Sequence, residues 1–383
     1  MRGLRHERRR SSFAVTDSYD VVVVGCGGAG AATTWWLARS GFRVLAIDRF
    51  EAHHVRGSSH GRERIVRLAY GDPVYVALAQ ESLRMWHELD AAIDAPLVRT
   101  VGGVDTGFAD ELEQVARGCE SAGVPYDWLN PDEARRTFPG LRFEGRALLQ
   151  RDAGCVDAHA ALDTFERSAV ANGAVIHRSE TVTRIEEQAA GVDVTTDRAT
   201  YRGDAVVVTT GAWAASTLAG LAPLPPISVT REQVAFFRPK RDATFPTFID
   251  RRETSYYGLP TPTGLLKVGE HYTGPVVDAD TYSADLEPRT WQRLLAWVRD
   301  NVPGVEPNPV DHNTCLYASG PDEDFVVDRR GRVTVGVGLG GHGFKFLPLL
   351  GRRLAEIATG TPWADNPFRF ARGPRLAGRS LHK

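Results

Sequence analysis

Asp20-Val-Val-Val-Val-Gly25-Cys-Gly27-Gly-Ala-Gly30, closing on Leu45-Ala-Ile-Asp48, decides how the rest of the chain is read. Four consecutive valines suit a strand buried on both faces, and Ala31 to Arg39 carries the pattern of the helix that follows it. Gly25 permits a tight turn, Gly27 lets backbone approach a pyrophosphate, and Gly30 lets the helix lie close to the strand. Phosphate oxygens then meet the free N–H groups of the helix start. Asp48 ends the second strand, where its carboxylate accepts hydrogen bonds from both hydroxyls of a ribose and repels a phosphorylated one. Strand, glycine turn, helix and acid in this order specify a dinucleotide other than NADP, and redox chemistry is expected.

The chain has 383 residues, more than one ordinary core holds, so two domains are expected. With 42% hydrophobic and 25% charged residues it has the composition of a soluble globular protein. A net charge of −2 leaves no basic footprint for nucleic acid, and no apolar run is long enough to span a bilayer. Neither kind of partner is expected. Cys26, Cys119, Cys155 and Cys315 are scattered without metal-ligand spacing, which reads as unpaired thiols in a cytoplasmic setting and no bound metal. Residues 1–17 are basic, and no apolar segment separates them from the first strand, so they read as a disordered tail rather than a secretory signal. Positive charge is almost all arginine; the lysines are Lys240, Lys267, Lys345 and Lys383. A lysine in a glycine-rich stretch is therefore informative, because a compact ammonium and a planar guanidinium do not substitute for each other in a tight site.

Beyond Asp48 come a polar segment at 56–67, a helix around Ala77 to Ile93, and a helix at Ala160 to Asn172. Alternating strands follow, ending in a second valine run, Ala205-Val-Val-Val-Thr-Thr-Gly211-Ala-Trp213, where a two-part dinucleotide domain returns to its sheet. Residues 219–313 are rich in proline, tyrosine and short strands, with one helix at Trp291 to Asn301. The last part, Arg332 to Phe346, is a third strand and glycine turn leading into a helix that ends at Gly360. Three strand-to-glycine elements so far apart imply one cofactor domain in discontinuous pieces, with a substrate domain threaded between them.

Gly57-Ser-Ser-His-Gly-x-x-Arg-x-x-Arg67, Tyr256-Tyr-Gly-Leu-Pro, Leu-Lys267-Val-Gly, Cys315-x-Tyr317 and Gly341-His-Gly-Phe-Lys345-Phe occur in one order along the chain. In them the sequence resembles the monomeric sarcosine oxidase and N-methyl-tryptophan oxidase family, FAD amine oxidases of the wider D-amino-acid-oxidase group. The resemblance covers about residues 18–375. It implies an α/β protein with a discontinuous FAD-binding fold (18–99, 153–218 and 314–375) and an inserted α+β substrate domain on a mixed or antiparallel sheet (100–152 and 219–313).

The resemblance also implies residue roles. Cys315, which on its own reads as a small buried hydrophobe, matches the position that links the flavin through a thioether. Lys345 and Arg67 match the pair that holds a substrate carboxylate, an arrangement that opposed ammonium and guanidinium groups suit. Lys267, between Leu266 and Val268 on an alternating strand, matches the lysine that activates oxygen, since a fixed positive charge favours superoxide forming beside it. His60 and Arg64 match residues near the flavin, where positive charge stabilises the reduced ring. Tyr256, His271 and Tyr317 match the substrate cavity, although Tyr256 and His271 read equally well as core residues. Arg49, Ser58, Val182, Gly211, Trp213, Gly340, Gly341 and Gly343 are expected against the cofactor, with Lys345 shared between cofactor and substrate.

The implied reaction is oxidation of an N-methyl or cyclic secondary amino acid by hydride transfer to flavin N5. Imine hydrolysis follows, and dioxygen reoxidises the flavin to give hydrogen peroxide; the enzyme is expected to act as a monomer. Other readings stay open at this point. The same scaffold serves dehydrogenases that pass electrons to a quinone or carrier, and tailoring enzymes that modify a ring. An NAD-dependent dehydrogenase or a non-catalytic nucleotide-binding module belongs to another class, and the glycine-rich return at 336–343 disfavours it.

Overall fold

The computed structural model describes residues 15–93 and 96–372. Its first strand, Val15–Val24, runs parallel to Val44–Ile47 on one side and to Thr200–Val208 on the other. Successive side chains leave opposite faces of a strand. Val21 and Val23 accordingly join a core with the helices Gly28–Arg39, Ala158–Ala171 and Leu347–Ala358, while Val22 and Val24 join a second core with the antiparallel strands Val182–Gln188 and Gly191–Thr196. A strand covered on both sides has no place for a polar residue, which is why the valine run is unbroken.

Thr200–Val208 pairs antiparallel with Gly191–Thr196 near its start and parallel with Val333–Val337 near its end, and Val175–His177 extends the sheet beyond Val44–Ile47. The three strand-to-glycine elements thus become neighbours, with their carboxyl ends together. A Cβ at Gly25 would lie 2.8 Å from the carbonyl oxygen of Thr209, a measure of how closely two of those turns meet. Residues 15–17, expected in the tail, belong to the first strand, and the rest of that expectation, residues 1–14, lies outside the described residues.

A second, 8-stranded sheet runs in the order Asp311–Ser319, Ser228–Phe237, Leu266–Glu270, Tyr256–Pro260, Thr247–Arg251, Gly103–Gly107, Ala147–Gln150 and Asp127–Leu129. It is antiparallel except where Thr247–Arg251 runs parallel to Gly103–Gly107. The helix Pro288–Asn301 covers one of its faces, with Leu294 and Val298 packed into a core that holds Phe237, Tyr256, Leu266 and Val268. A domain boundary at residue 314 is corrected by this pairing: Asp311–Ser319 lies along Ser228–Phe237, so the strand bearing Cys315 belongs to the second sheet. A third, 3-stranded sheet joins Glu63–Val66, Gly154–Asp157 and Val98–Thr100.

The helix expected from Ala77 starts earlier, at Pro73, because Asp72 caps it: its side chain accepts the N–H of Val74 at 2.9 Å, and proline suits the first helical position. The helix expected from Trp291 starts at Pro288 for the same reason, with Glu287 as its cap. Among the described residues no helix is long and apolar enough to cross a membrane, and no cluster of His, Cys, Asp or Glu is arranged to hold a metal ion.

Candidate active site

Two joined cavities open at the carboxyl ends of the parallel strands. The outer one is bordered by the first glycine turn, Asp48 and Val182 on one side and by Gly211, Trp213 and Gly338 on the other. Gly25 has φ +90°, a conformation that disfavours any side chain. A Cβ at Gly30 would sit 1.8 Å from the Gly25 carbonyl oxygen, so the helix approaches its strand only because residue 30 is glycine. Within the protein a Cβ at Gly27 would meet only Ser59, at 3.2 Å from its Oγ, and Gly27 borders the cavity. Ser59, which sequence reading passed over, accepts the Gly28 N–H at 3.0 Å.

Asp48 is held at the cavity wall by main-chain N–H groups of two other residues. One carboxylate oxygen accepts the Cys26 N–H at 2.7 Å and the other accepts the Phe50 N–H at 2.9 Å, with Arg178 Nη1 3.7 Å away. Arg178 is a second residue without a signal in the sequence. At the rim, Arg49 pairs with Asp280 at 2.8 Å and lies over Phe50 and Trp213, and the Trp213 indole N–H donates to the same Asp280 carboxylate at 2.9 Å. Those bonds, the tryptophan's first, hold the Asp280 carboxyl below its usual range.

The inner cavity shares Gly28, Ser58 and Gly340 with the outer one, so the two are continuous. One face of the second sheet walls it. Phe236, Lys267 and Leu259 form one cross-strand row, and Val234, Gly269, Tyr257 and Ile249 form the next. Leu266 and Val268 point the other way, into the core under the helix, as expected for the neighbours of Lys267. Lys267 is buried, with Nζ 3.7 Å from the Glu63 carboxylate and 3.5 Å from the Glu63 carbonyl oxygen. Burial, and after it the Arg64 charge, push its ammonium down to about 8.

Arg64 is fixed by donating to the carbonyls of Ser58, His60 and Glu63 at 2.6, 2.7 and 2.7 Å. The Ser58 hydroxyl in turn donates to the carbonyl of Leu316, next to Cys315. Cys315 lines the inner cavity; burial pushes its thiol up, while Lys267 and Arg64 pull against that rise. His60 differs from expectation. Burial, with Arg64 and Lys267 adding to it, lowers its imidazole to about 4, so near neutral pH the positive environment comes from Arg64 and Lys267 and not from His60.

At another wall Arg67 and Lys345 come together. The Arg67 guanidinium lies 4.0 Å over the Tyr70 ring and Lys345 Nζ lies 5.7 Å from the centre of the same ring. Among the described residues Arg67 Nη1 is buried with no hydrogen-bond partner, and Lys345 Nζ donates to the carbonyl of His342 alone, at 3.0 Å. Among the described residues neither forms an ion pair. Burial, followed by the charges of Arg67 and Arg64, holds Lys345 well below the usual lysine range. Its backbone is anchored, the carbonyl accepting from Ser82 Oγ at 2.6 Å and Trp86 Nε1 at 2.8 Å.

His271 and Tyr317 line the same space, their rings 5.5 Å apart. A Cβ at Gly341 would come within 2.3 Å of the Tyr317 ring and one at Gly340 within 2.3 Å of the Tyr272 hydroxyl, so the glycines of the last turn make room for these tyrosines. Gly343 borders the cavity beside Lys345. Tyr256 does not belong here. It stacks on Trp297 at 4.3 Å in the core under the helix, and its neighbour Tyr257 faces the cavity instead.

Residues 20–357 match the family described as FAD dependent oxidoreductase. The chain belongs to it. This FAD dependent oxidoreductase is 33% identical to the monomeric sarcosine oxidase of Streptomyces avermitilis, over 91% of its own length and 95% of the relative's. It is 30% identical to an N-methyl-L-tryptophan oxidase of Salmonella agona, over 92% and 99%. Its fold superposes on the open form of NikD, an amino acid oxidase essential for nikkomycin biosynthesis, with a TM-score of 0.82 and 29% identity, covering 92% of this chain and 96% of the other. The residues present fit FAD. The glycine cradle and Asp48 face the outer cavity, Arg64 and Lys267 bring positive charge to the inner one, and the two cavities run on from each other.

Proposed function

We propose that this FAD dependent oxidoreductase oxidises the C–N bond of a secondary amino acid, N-methylated or cyclic, and delivers the electrons to dioxygen as hydrogen peroxide. One observation carries the reading. Arg67 and Lys345 are two buried basic side chains that line one cavity and share the Tyr70 ring, with no acid paired to either among the described residues. Such a pair is costly unless an anion joins it, and a carboxylate meets both with charge-assisted bonds.

FAD, when bound, supplies the two-electron acceptor and returns the electrons to oxygen. The chain's own residues do the rest. Arg67 and Lys345 grip the carboxylate, which leaves the amine of an amino acid toward Tyr257, Tyr317 and His271. Phe236, Ile249 and Leu259 keep the surroundings apolar, which favours the uncharged amine from which the bond is broken. Lys267 holds positive charge where oxygen is reduced. Cys315 is the residue proposed to tether the flavin, making it covalent. The relatives named as sarcosine and N-methyl-tryptophan oxidases support the substrate class. Unpaired cysteines and relatives named as monomeric support a monomer working in the cytoplasm.

The test is a peroxide-coupled screen of sarcosine, N-methyl-tryptophan, proline and pipecolate on the purified yellow protein. Peroxide equal to substrate consumed, for at least one of them, is expected. Substrate consumed without peroxide makes the protein a dehydrogenase, and no turnover of any of the four rejects the substrate class.

A further inference from the structure

The pattern Gly61-x-x-Arg64 leaves residue 63 unassigned, yet the structure puts a carboxylate there in the wall of the inner cavity. Glu63 and Lys267 are 7% and 9% exposed, and they come from different sheets. Glu63 opens the strand Glu63–Val66, whose pairing with Gly154–Asp157 holds its backbone still; Lys267 lies in the strand Leu266–Glu270. Nζ of Lys267 meets Glu63 twice, at the carboxylate (3.7 Å) and at the main-chain carbonyl (3.5 Å). Arg62, the chain neighbour that could have competed for this carboxylate, is occupied by Asp157 at 3.0 Å on the exposed side.

We infer that Glu63 is the positioning residue of Lys267, its carboxylate and its carbonyl together holding the ammonium charged against the inner cavity. This rests on the oxidase reading only in so far as that reading gives Lys267 its work.

The groups that face Lys267 decide its charge. Arg64 on the same strand as Glu63 opposes it, His60 is neutral near pH 7, and the thiols of Cys315 and Cys155 flank it from two other strands. Among the described groups that bear on Lys267, Glu63 is the carboxylate. Burial and Arg64 have already brought the ammonium down to about 8, so it is charged at neutral pH by a narrow margin. Removing a negative charge this close takes that margin away.

The chain's four lysines make the charge of Lys267 directly readable. The cofactor-loaded protein, labelled with 13Cε-lysine, is titrated by NMR, and the Lys267 signal is assigned as the one missing from Lys267→Met. Glu63→Gln is expected to lower the Lys267 inflection by about one pH unit or more. Glu63→Asp, which keeps the charge on a shorter arm, is expected to lower it less and carries the test alone if the glutamine variant does not fold. An unchanged Lys267 inflection in a folded variant overturns the inference.

Reaction of the reduced enzyme with oxygen, followed over the same pH range, separates this inference from the functional reading. If the oxygen rate falls with the Lys267 inflection, both stand. If the inflection drops and the oxygen rate ignores it, Glu63 keeps its role and the oxidase role of Lys267 is lost.

Discussion

Tyr256 and Tyr257 are consecutive on one strand and serve opposite faces of the sheet: Tyr256 stacks on Trp297 at 4.3 Å, and Tyr257 lines the inner cavity in the same row as Ile249 and Val234. Tyr257→Phe is expected to lower kcat/KM while leaving the melting temperature within a degree or so. Tyr256→Ala is expected to cost about 3–5 kcal/mol of stability by emptying a packed aromatic site. Steady-state kinetics and denaturant unfolding of the two variants check this, and exchanged phenotypes would reverse the assignment.

Cys315 faces the cavity with Lys267 and Arg64 bearing on it. Acid or denaturant is expected to leave the yellow colour on the wild-type polypeptide and to release it from Cys315→Ser. Full release from the wild type removes the tether from the proposal and leaves the rest intact.

For Lys267→Met, reduction of the flavin by substrate is expected to persist while reoxidation by oxygen slows on the order of 10²–10³-fold, the usual size of a lost electrostatic stabiliser. Stopped-flow measurement of the two half-reactions decides it. Equal losses in both would reject an oxygen-specific role.

Burial beside Arg67 holds Lys345 well below the usual lysine range, and a bound carboxylate favours its charged form. Binding therefore takes up a proton at any pH above the free-state value and below the bound-state value. In that window the affinity for a simple carboxylate such as cyclopentanecarboxylate is expected to weaken as pH rises, by up to about tenfold per unit. Spectral titrations across pH check the slope, which Lys345→Met should flatten.

Behind the cation pair, Arg251 is fully buried and pairs with Asp105 at 3.3 Å, its guanidinium also reaching the Ala69 carbonyl. Arg251→Met strands the Asp105 charge and is expected to cost about 3–5 kcal/mol, whereas the double change Asp105→Leu, Arg251→Met recovers most of it. Urea unfolding of the two variants measures the difference. A small loss in the single variant would mean that water or another group takes over the carboxylate.

Much of this architecture was legible beforehand. The valine runs at 21–24 and 206–208 are parallel neighbours, Gly25 and Gly30 have the steric reasons ascribed to them, and Lys267, Lys345, Arg67, Cys315 and Tyr317 share one cavity. What escaped has physical causes. In a tyrosine doublet either ring fits either face, and only the register of Tyr257 with Gly269 and of Leu259 with Lys267 says which one looks inward. Strand-like alternation at 311–319 does not tell which sheet the strand joins. Glu63 and Arg178 are ordinary acids and bases until folding sets them beside Lys267 and Asp48.

Local composition therefore determined by itself that a dinucleotide turn forms. Unbroken branched side chains demand cover on both faces, glycine at 25 is required by its own positive φ, and glycine at 30 by its close approach to the Gly25 carbonyl. Tertiary structure alone decided the electrostatics. Whether His60 is neutral, Lys267 charged by a narrow margin, or Arg67 and Lys345 buried without a paired acid among the described residues depends on burial and on charges brought from distant strands, and those distances exist only once the sheets have closed around the cavity.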